Sequence, residues 1–340
     1  MAKLSLPRWM GLLLTLALVA LAWPAQAEQK VIKLKYTNFF PPPHKNSQLT
    51  EQWCKEVEKR TGGRVKISYF PGNTLTPPTQ TYDSVIKGIA DIGMSLLAYS
   101  PGRFPLSEVL TLPLGYTSGY QSTKTANAFL QKFQPKEFSE VKVMYLHAHG
   151  PGLVHTKKAL TSMSDVKGLR IRVNADVAGI AEAIGATPVT LPITESYDGM
   201  QKGLLDGLLL PMDTLKGWRF AEVTKTTFEN HGMSYAATIF AVMNKDKWNS
   251  LPPDVQKIIE EINAEWIEKQ GQQWNELDQE ARQFGQEKGV TMVKATPQEE
   301  AEVAEKMKPL FAKYVKGAQE KGLPGQEALD FCREYMKQVK

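Results

Sequence analysis

The sequence predicts an α/β protein built as two lobes around a cleft. Three observations carry this. Over residues 31–94, apolar alternation and helical periodicity take turns as strand, helix, strand, helix, strand, the rhythm of a largely parallel sheet covered by helices. The chain has 340 residues, and the 340 − 27 = 313 that follow an expected leader favour two domains of roughly 100–200 residues each. No low-complexity linker separates an N-terminal from a C-terminal half, so the chain is expected to cross between lobes more than once, leaving a cleft and a hinge.

The leader is read from Lys3 and Arg8, an apolar run over residues 10–23, and the small-residue site Ala25-Gln26-Ala27. This pattern predicts a cleaved export signal and a mature chain starting at Glu28. No cysteine follows the apolar run, so no lipid anchor is expected, and no later segment reaches spanning length. The formal net charge of +5 falls to 5 − 2 = +3 without the leader. A slight positive charge suits small anionic ligands. No basic run interleaves with aromatics, so no nucleic-acid partner is expected. Export permits a disulfide between Cys54 and Cys332; two buried thiols are the alternative. Two cysteines alone cannot form a zinc or iron–sulfur site.

The elements follow in order. Residues 31–36 (VIKLKY) alternate as a strand and end in the rigid loop Thr37-Asn38-Phe39-Phe40-Pro41-Pro42-Pro43. A helix over about 47–60 presents Leu49, Trp53 and Val57 on one face, and Gly62-Gly63 ends it. Strands at 65–70 and 90–94 flank a short helix at 81–88. Further strands are expected at 142–149, 169–173 and 208–210, and helices at 178–184 and 195–205, the latter with Tyr197, Met200 and Leu204 on one face. Residues 235–243 form a long apolar strand with poor alternation, as when both faces are covered. Pro252-Pro253-Asp254 opens the longest helix, with Val255, Ile258, Ile262, Trp266, Trp274, Leu277, Ala281 and Phe284 on one side. At about 1.5 Å per residue it spans roughly 45–50 Å, enough to cross both lobes. Gly289 stops it, and helices at about 297–321 and 325–338 finish the chain.

In such sheets ligands sit beyond the carboxyl ends of the strands. That brings the loop of Asn38, Phe39 and Phe40 and the loop at residues 95–100 to one rim. The most informative residue is Arg172, on the alternating strand VKGLRIRVN at 166–174, a segment that itself holds no acid. Two readings stand: a guanidinium fork awaiting a bound carboxylate, or an ion pair with a distant Asp or Glu. There is no G-x-S-x-G, P-loop, dinucleotide fingerprint or H-E-x-x-H. His147 and His149 face the same way on a strand without a third ligand, so His149 is expected to line or hydrogen-bond rather than hold a metal. Glu195 and Asp198 stand side by side with no nucleophile; Glu195 is expected to pair with an arginine or sit at its helix start. No cofactor, metal or catalytic constellation is predicted.

Taken in order, several segments resemble the extracytoplasmic solute receptors of TRAP transporters, the DctP-type family. These are Gly72-Asn73-Thr74-Leu75, Gly88-Ile89-Ala90-Asp91, residues 165–173 (DVKGLRIRV), the set Pro192, Glu195, Tyr197, Gln201, Gly203, Asp206 and Gly207, and Asn244-Lys245 with Trp248 and Leu251-Pro252. The resemblance covers nearly the whole mature chain. It implies a two-lobed periplasmic-binding-protein fold that closes like a hinge. Lobe I would hold 28–150, about 236–251 and part of the C-terminal helices; lobe II 151–235 and about 290–310; and the helix at 252–288 would span both. It implies that Arg172 grips a ligand carboxylate, that Asn38 lies at the cleft rim, and that a monomeric receptor hands its ligand to large and small membrane subunits driven by an ion gradient.

Two departures bear on the ligand. Sialic-acid-type members carry a second arginine where this chain reads Pro151-Gly152, and an asparagine where it reads Leu208-Leu209-Leu210-Pro211-Met212. Each missing partner would leave a polar ligand group unpaired at about 1–3 kcal/mol. Phe39, Phe40, Tyr99, Leu210, Met212, Trp218 and Tyr235 are expected around Arg172, a lining that suits a monocarboxylate with an apolar or aromatic body, with a small hydroxy or keto acid or a sulfonate as the other ligand classes left open. Two alternatives remain at this level: an exported enzyme with Glu195 or His149 as base, and a receptor serving an ATP-driven transporter or a sensor.

Overall fold

A computed structural model describes residues 31–339; the expected leader lies outside them. Among the described residues, eleven strands form two sheets. They are β1 (Ile32–Asn38), β2 (Val65–Phe70), β3 (Ile92–Leu96), β4 (Val141–Ala148), β5 (Gly152–Thr156), β6 (Arg170–Val173), β7 (Thr187–Thr190), β8 (Gly207–Pro211), β9 (Thr226–Glu229), β10 (Thr238–Asn244) and β11 (Thr291–Lys294). One sheet runs β2-β1-β3-β10-β4 and the other β11-β9-β5-β8-β6-β7. Each defines a lobe of a binding-protein fold.

The lobes share one plan. In the first, β2, β1 and β3 are parallel and β10 is antiparallel to β3. In the second, β7, β6 and β8 are parallel and β5 is antiparallel to β8. The antiparallel strand of each sheet is the one the chain supplies after crossing over. The same local chemistry builds both parallel units. Asp91 accepts the backbone N–H of Lys35 at 2.7 Å, and Asp206 accepts that of Arg170 at 2.9 Å. Before each aspartate a short helix ends at a glycine with positive φ, Gly88 at 70° and Gly203 at 74°, where a side chain would be strained. The repeat is a structural echo between lobes, not a tandem array.

The long helix, Pro253–Glu287, has 35 residues, about 52 Å at ~1.5 Å per residue. Toward the first lobe, Trp53 donates to Asn263 (3.0 Å), Arg60 forks onto Glu265 (2.6 and 2.6 Å), and Trp266 donates to the Leu49 carbonyl (3.1 Å). Toward the second, Asp278 accepts the Asp213 N–H (3.0 Å), Glu280 pairs with Lys216 (2.8 Å), and Arg282 bonds the buried Glu229 (2.9 Å). Ile258 and Phe284, expected in its apolar stripe, are half-buried; Ile259, Gln270 and Gly285 are buried instead.

Several elements depart from the sequence reading. The helix Gly119–Phe133 was not expected. Its buried face is made largely of Gly119, Ser122, Thr123, Thr125 and Ala126, so its apolar periodicity is faint; Ser118 caps it by accepting the Gln121 N–H. Strand β5 begins at Gly152, where Pro151-Gly152 reads as a turn. Strands β7, β9 and β11 are four residues each, too short for a period to show. The helix expected over 195–205 covers only Ser196–Gln201, and Leu204, beyond the Gly203 stop, is exposed. Cys54 and Cys332 are free thiols buried in two different apolar clusters, so the disulfide alternative is set aside.

Candidate functional site

The carboxyl ends of the parallel strands in both lobes meet around one cavity. Its free volume is only about 30 Å³, so the lobes as they stand leave little room between them and a ligand would enter with the cleft open. From the first lobe come Phe39 and Phe40 after β1, Leu96 ending β3, Tyr99 beyond it, His149 and Ile239. From the second come Arg172 on β6, Asn174 after it, Ile193, Leu210 and Pro211 ending β8, then Asp213, Thr214 and Trp218. Trp274 of the long helix closes one side.

Arg172 is 0% exposed. Its Nε donates to the Leu191 carbonyl at 2.9 Å and its Nη2 to Asn174 Oδ1 at 2.7 Å; Nη1 meets no acceptor. No carboxylate among the described residues lies within salt-bridge distance, so the ion-pair reading drops away. Of the five guanidinium donors, three stay free, two of them on Nη1. Because Leu191 and Asn174 are neutral, they orient the fork without cancelling its charge.

The wall opposite is aromatic. The Phe39 and Phe40 ring centroids lie 4.1 Å apart, and Trp218 is 6.2 Å from each. Tyr99 meets Phe39 edge-on, and its hydroxyl accepts the Ile193 N–H at 3.0 Å, a direct bond from one lobe to the other. The lobes are therefore in contact across the cleft.

Seven of the eleven expected residues line this cavity: Phe39, Phe40, Tyr99, His149, Arg172, Leu210 and Trp218. Four stand elsewhere. Asn38 is buried behind the rim: its Nδ2 donates to Thr50 (3.1 Å) and Tyr69 (2.9 Å), and its Oδ1 accepts the Phe40 N–H, which positions the phenylalanine turn. Met212 is buried outside the cavity lining. Tyr235 lies behind the wall and donates to the Leu209 carbonyl at 2.8 Å. Its ring fills the space a side chain at position 152 would need, since a Cβ there would sit 1.9 Å from Cε1. Glu195 is exposed, pairs with no arginine and makes no side-chain cap.

His149 is hydrogen-bonded at both nitrogens: Nδ1 donates to the Gly150 carbonyl (2.6 Å) because Nε2 accepts the Ala237 N–H (2.9 Å). Burial pushes its pKa down to about 4. His147 accepts from Trp274 Nε1 at 3.0 Å, and burial pushes its pKa down to about 3. Ile193, Asn174, Asp213 and Trp274 were not anticipated. Asn174, two residues after Arg172 on the same strand face, was the one with a readable signal.

The chain belongs to the bacterial extracellular solute-binding proteins of family 7, the DctP family, whose model matches residues 38–317. It is a TRAP extracytoplasmic solute receptor. A TRAP periplasmic solute-binding protein from Desulfovibrio salexigens is 34% identical, with 91% of this chain and 97% of that one covered and a TM-score of 0.81; it was solved with the C-terminus of a symmetry mate in its ligand site. One from Rhodoferax ferrireducens, solved with copurified benzoate, is 29% identical over 91% and 98%, with a TM-score of 0.86. A marine metagenome protein specific for aromatic acids, solved with 3-hydroxybenzoate, is 26% identical over 91% and 99%, also at 0.86.

Proposed function

We propose that this receptor captures a monocarboxylate with an aromatic or apolar body, anchoring the carboxylate on Arg172 and burying the body among Phe39, Phe40, Tyr99, Leu210 and Trp218. The observation that carries this reading is the fully buried guanidinium with a donor-bearing Nη1 and no acidic partner. Its charge favours an anion, and a closed apolar wall favours a ligand that brings no other charge. The benzoate and 3-hydroxybenzoate held by the two similar receptors fit the same reading.

Lobe I then takes 28–150, about 236–251 and part of the C-terminal helices, lobe II takes 151–235 and about 290–310, and the helix at 252–288 serves as the shared spine. The mature monomer works in the periplasm after loss of its leader and delivers its ligand to large and small membrane subunits coupled to an ion gradient. Catalysis is not part of the reading: His149 has both nitrogens engaged, and Glu195 faces solvent.

Isothermal titration with benzoate, mandelate, cyclohexanecarboxylate and succinate tests it. A monocarboxylate should bind and succinate should not. Arg172→Ala should weaken binding on the order of a hundredfold, the equivalent of about 2–3 kcal/mol. Undiminished binding by that variant, or a preference for succinate, overturns the assignment.

A further inference from the structure

The cavity wall holds a second buried polar atom without a partner, at the side of Asp213. This residue is 1% exposed and lines the same cavity as Arg172. Its surroundings leave little else to bond it, and the neighbouring His44 Nε2 is itself buried without a hydrogen-bond partner. Its backbone N–H goes to Asp278 Oδ1 at 3.0 Å. Its Oδ2 lies 3.6 Å from His44 Nε2. His44 Nδ1 accepts the Asn46 N–H at 3.1 Å, so the neutral ring carries its proton on Nε2, toward that carboxyl. Asp213 Oδ1 has no hydrogen-bond partner.

A buried carboxyl oxygen left unpaired is costly, and cavities tolerate one where a ligand completes it. The two carboxyls of Asp213 and Asp278 stand together, so a second anionic group on the ligand would meet like charge. A methyl or ring hydrogen would leave Oδ1 unsatisfied. A hydroxyl answers the site in either protonation state: it donates to the carboxylate and accepts from the carboxylic acid.

Resting on the monocarboxylate reading above, we propose that Asp213 is a specificity-determining residue that selects hydroxylated acids, its Oδ1 bonding a ligand hydroxyl while Arg172 holds the carboxylate. The site thus reads two ends of one molecule. His44 Nε2 stands 3.6 Å from Oδ2, beyond hydrogen-bond reach, and Oδ1 is the buried oxygen left to be satisfied.

The test titrates the mature protein with benzoate, its 2-, 3- and 4-hydroxy derivatives and the matching methoxybenzoates. Mandelate is compared with phenylacetate. At least one hydroxy acid should bind tenfold or more tightly than its parent, and its methyl ether should lose that gain. Asp213→Leu should abolish the preference for the hydroxy acid over its parent, whereas Asp213→Asn, which keeps an acceptor, should preserve part of it. Circular dichroism and the melting temperature of each variant establish that it is folded. Parent and hydroxy acids bound equally by the wild type, or an unchanged preference in a folded Asp213→Leu, overturn the proposal and leave the Arg172 reading standing. Failure of every acid to bind overturns that broader reading and this one with it.

Discussion

Tyr99→Phe offers a test of how the lobes hold their ligand. The substitution removes one oxygen and keeps the ring, so the edge-on contact with Phe39, at 6.2 Å and 84°, persists. What is lost is the acceptor for the Ile193 N–H. In the closed protein that N–H is buried; with the lobes apart, water satisfies it. The deficit therefore falls on the closed state alone, at about 1–3 kcal/mol. Closure and ligand capture are linked, so the dissociation constant should rise by roughly fivefold to 150-fold. Most of this should appear as faster release, because the encounter involves the open form. Isothermal titration gives the affinity and stopped-flow tryptophan fluorescence the release rate, with Trp218 and Trp274 in the wall as reporters. The melting temperature without ligand should move little. Equal affinity and equal release in the variant would refute the bond as a closing contact.

Other perturbations have calculable signs. His44 and His147 are pushed down to about 3, and His149 and His155 to about 4, all by burial. The unfolded chain takes up these protons near 6.5, so stability from neutral histidines is full above pH 6.5 and is lost as the pH falls toward 4. Burial pushes Asp213 up to about 8, which acts in the opposite sense: its contribution is present at low pH and lost as the pH rises through 8. Melting curves between pH 8 and 4.5 should thus fall more steeply for Asp213→Asn than for the wild type, and parallel curves would contradict this. Gly152→Ala should destabilise by about 1–3 kcal/mol in urea titrations, because its Cβ collides with the Tyr235 ring. Arg282→Met should cost about 3–5 kcal/mol by leaving the buried Glu229 unpaired, and Glu229→Gln in the same background should recover part of it.

Much of the fold was legible because burial leaves a period in the sequence. The long helix shows its stripe over 35 residues, and β1, β2 and β10 announce themselves as apolar runs. The helix Gly119–Phe133 was illegible for the opposite reason: Ser and Thr side chains bond local carbonyls, as Thr125 does to Gln121, and so enter a core without raising hydropathy. Strand β5 was hidden by a Pro-Gly pair that a neighbouring tyrosine makes necessary. In the cavity wall, Phe39 and Phe40 could be placed from the loop after β1, while Trp274, more than 230 residues further on, could be read only as helix core.

The sequence by itself determined the α/β class, the two lobes, the spanning helix and the placement of Arg172 on a core strand, because each rests on local periodicity or on a charge standing where a core residue belongs. Only the tertiary structure decided that no acid neutralises that charge, that Asn38, Met212, Tyr235 and Glu195 stand off the cavity wall, and that Asp213 joins it. Those facts depend on distances between segments brought together from both lobes. Hydrogen-bond reach is about 3 Å, and no spacing along a chain encodes which distant atoms will come within it.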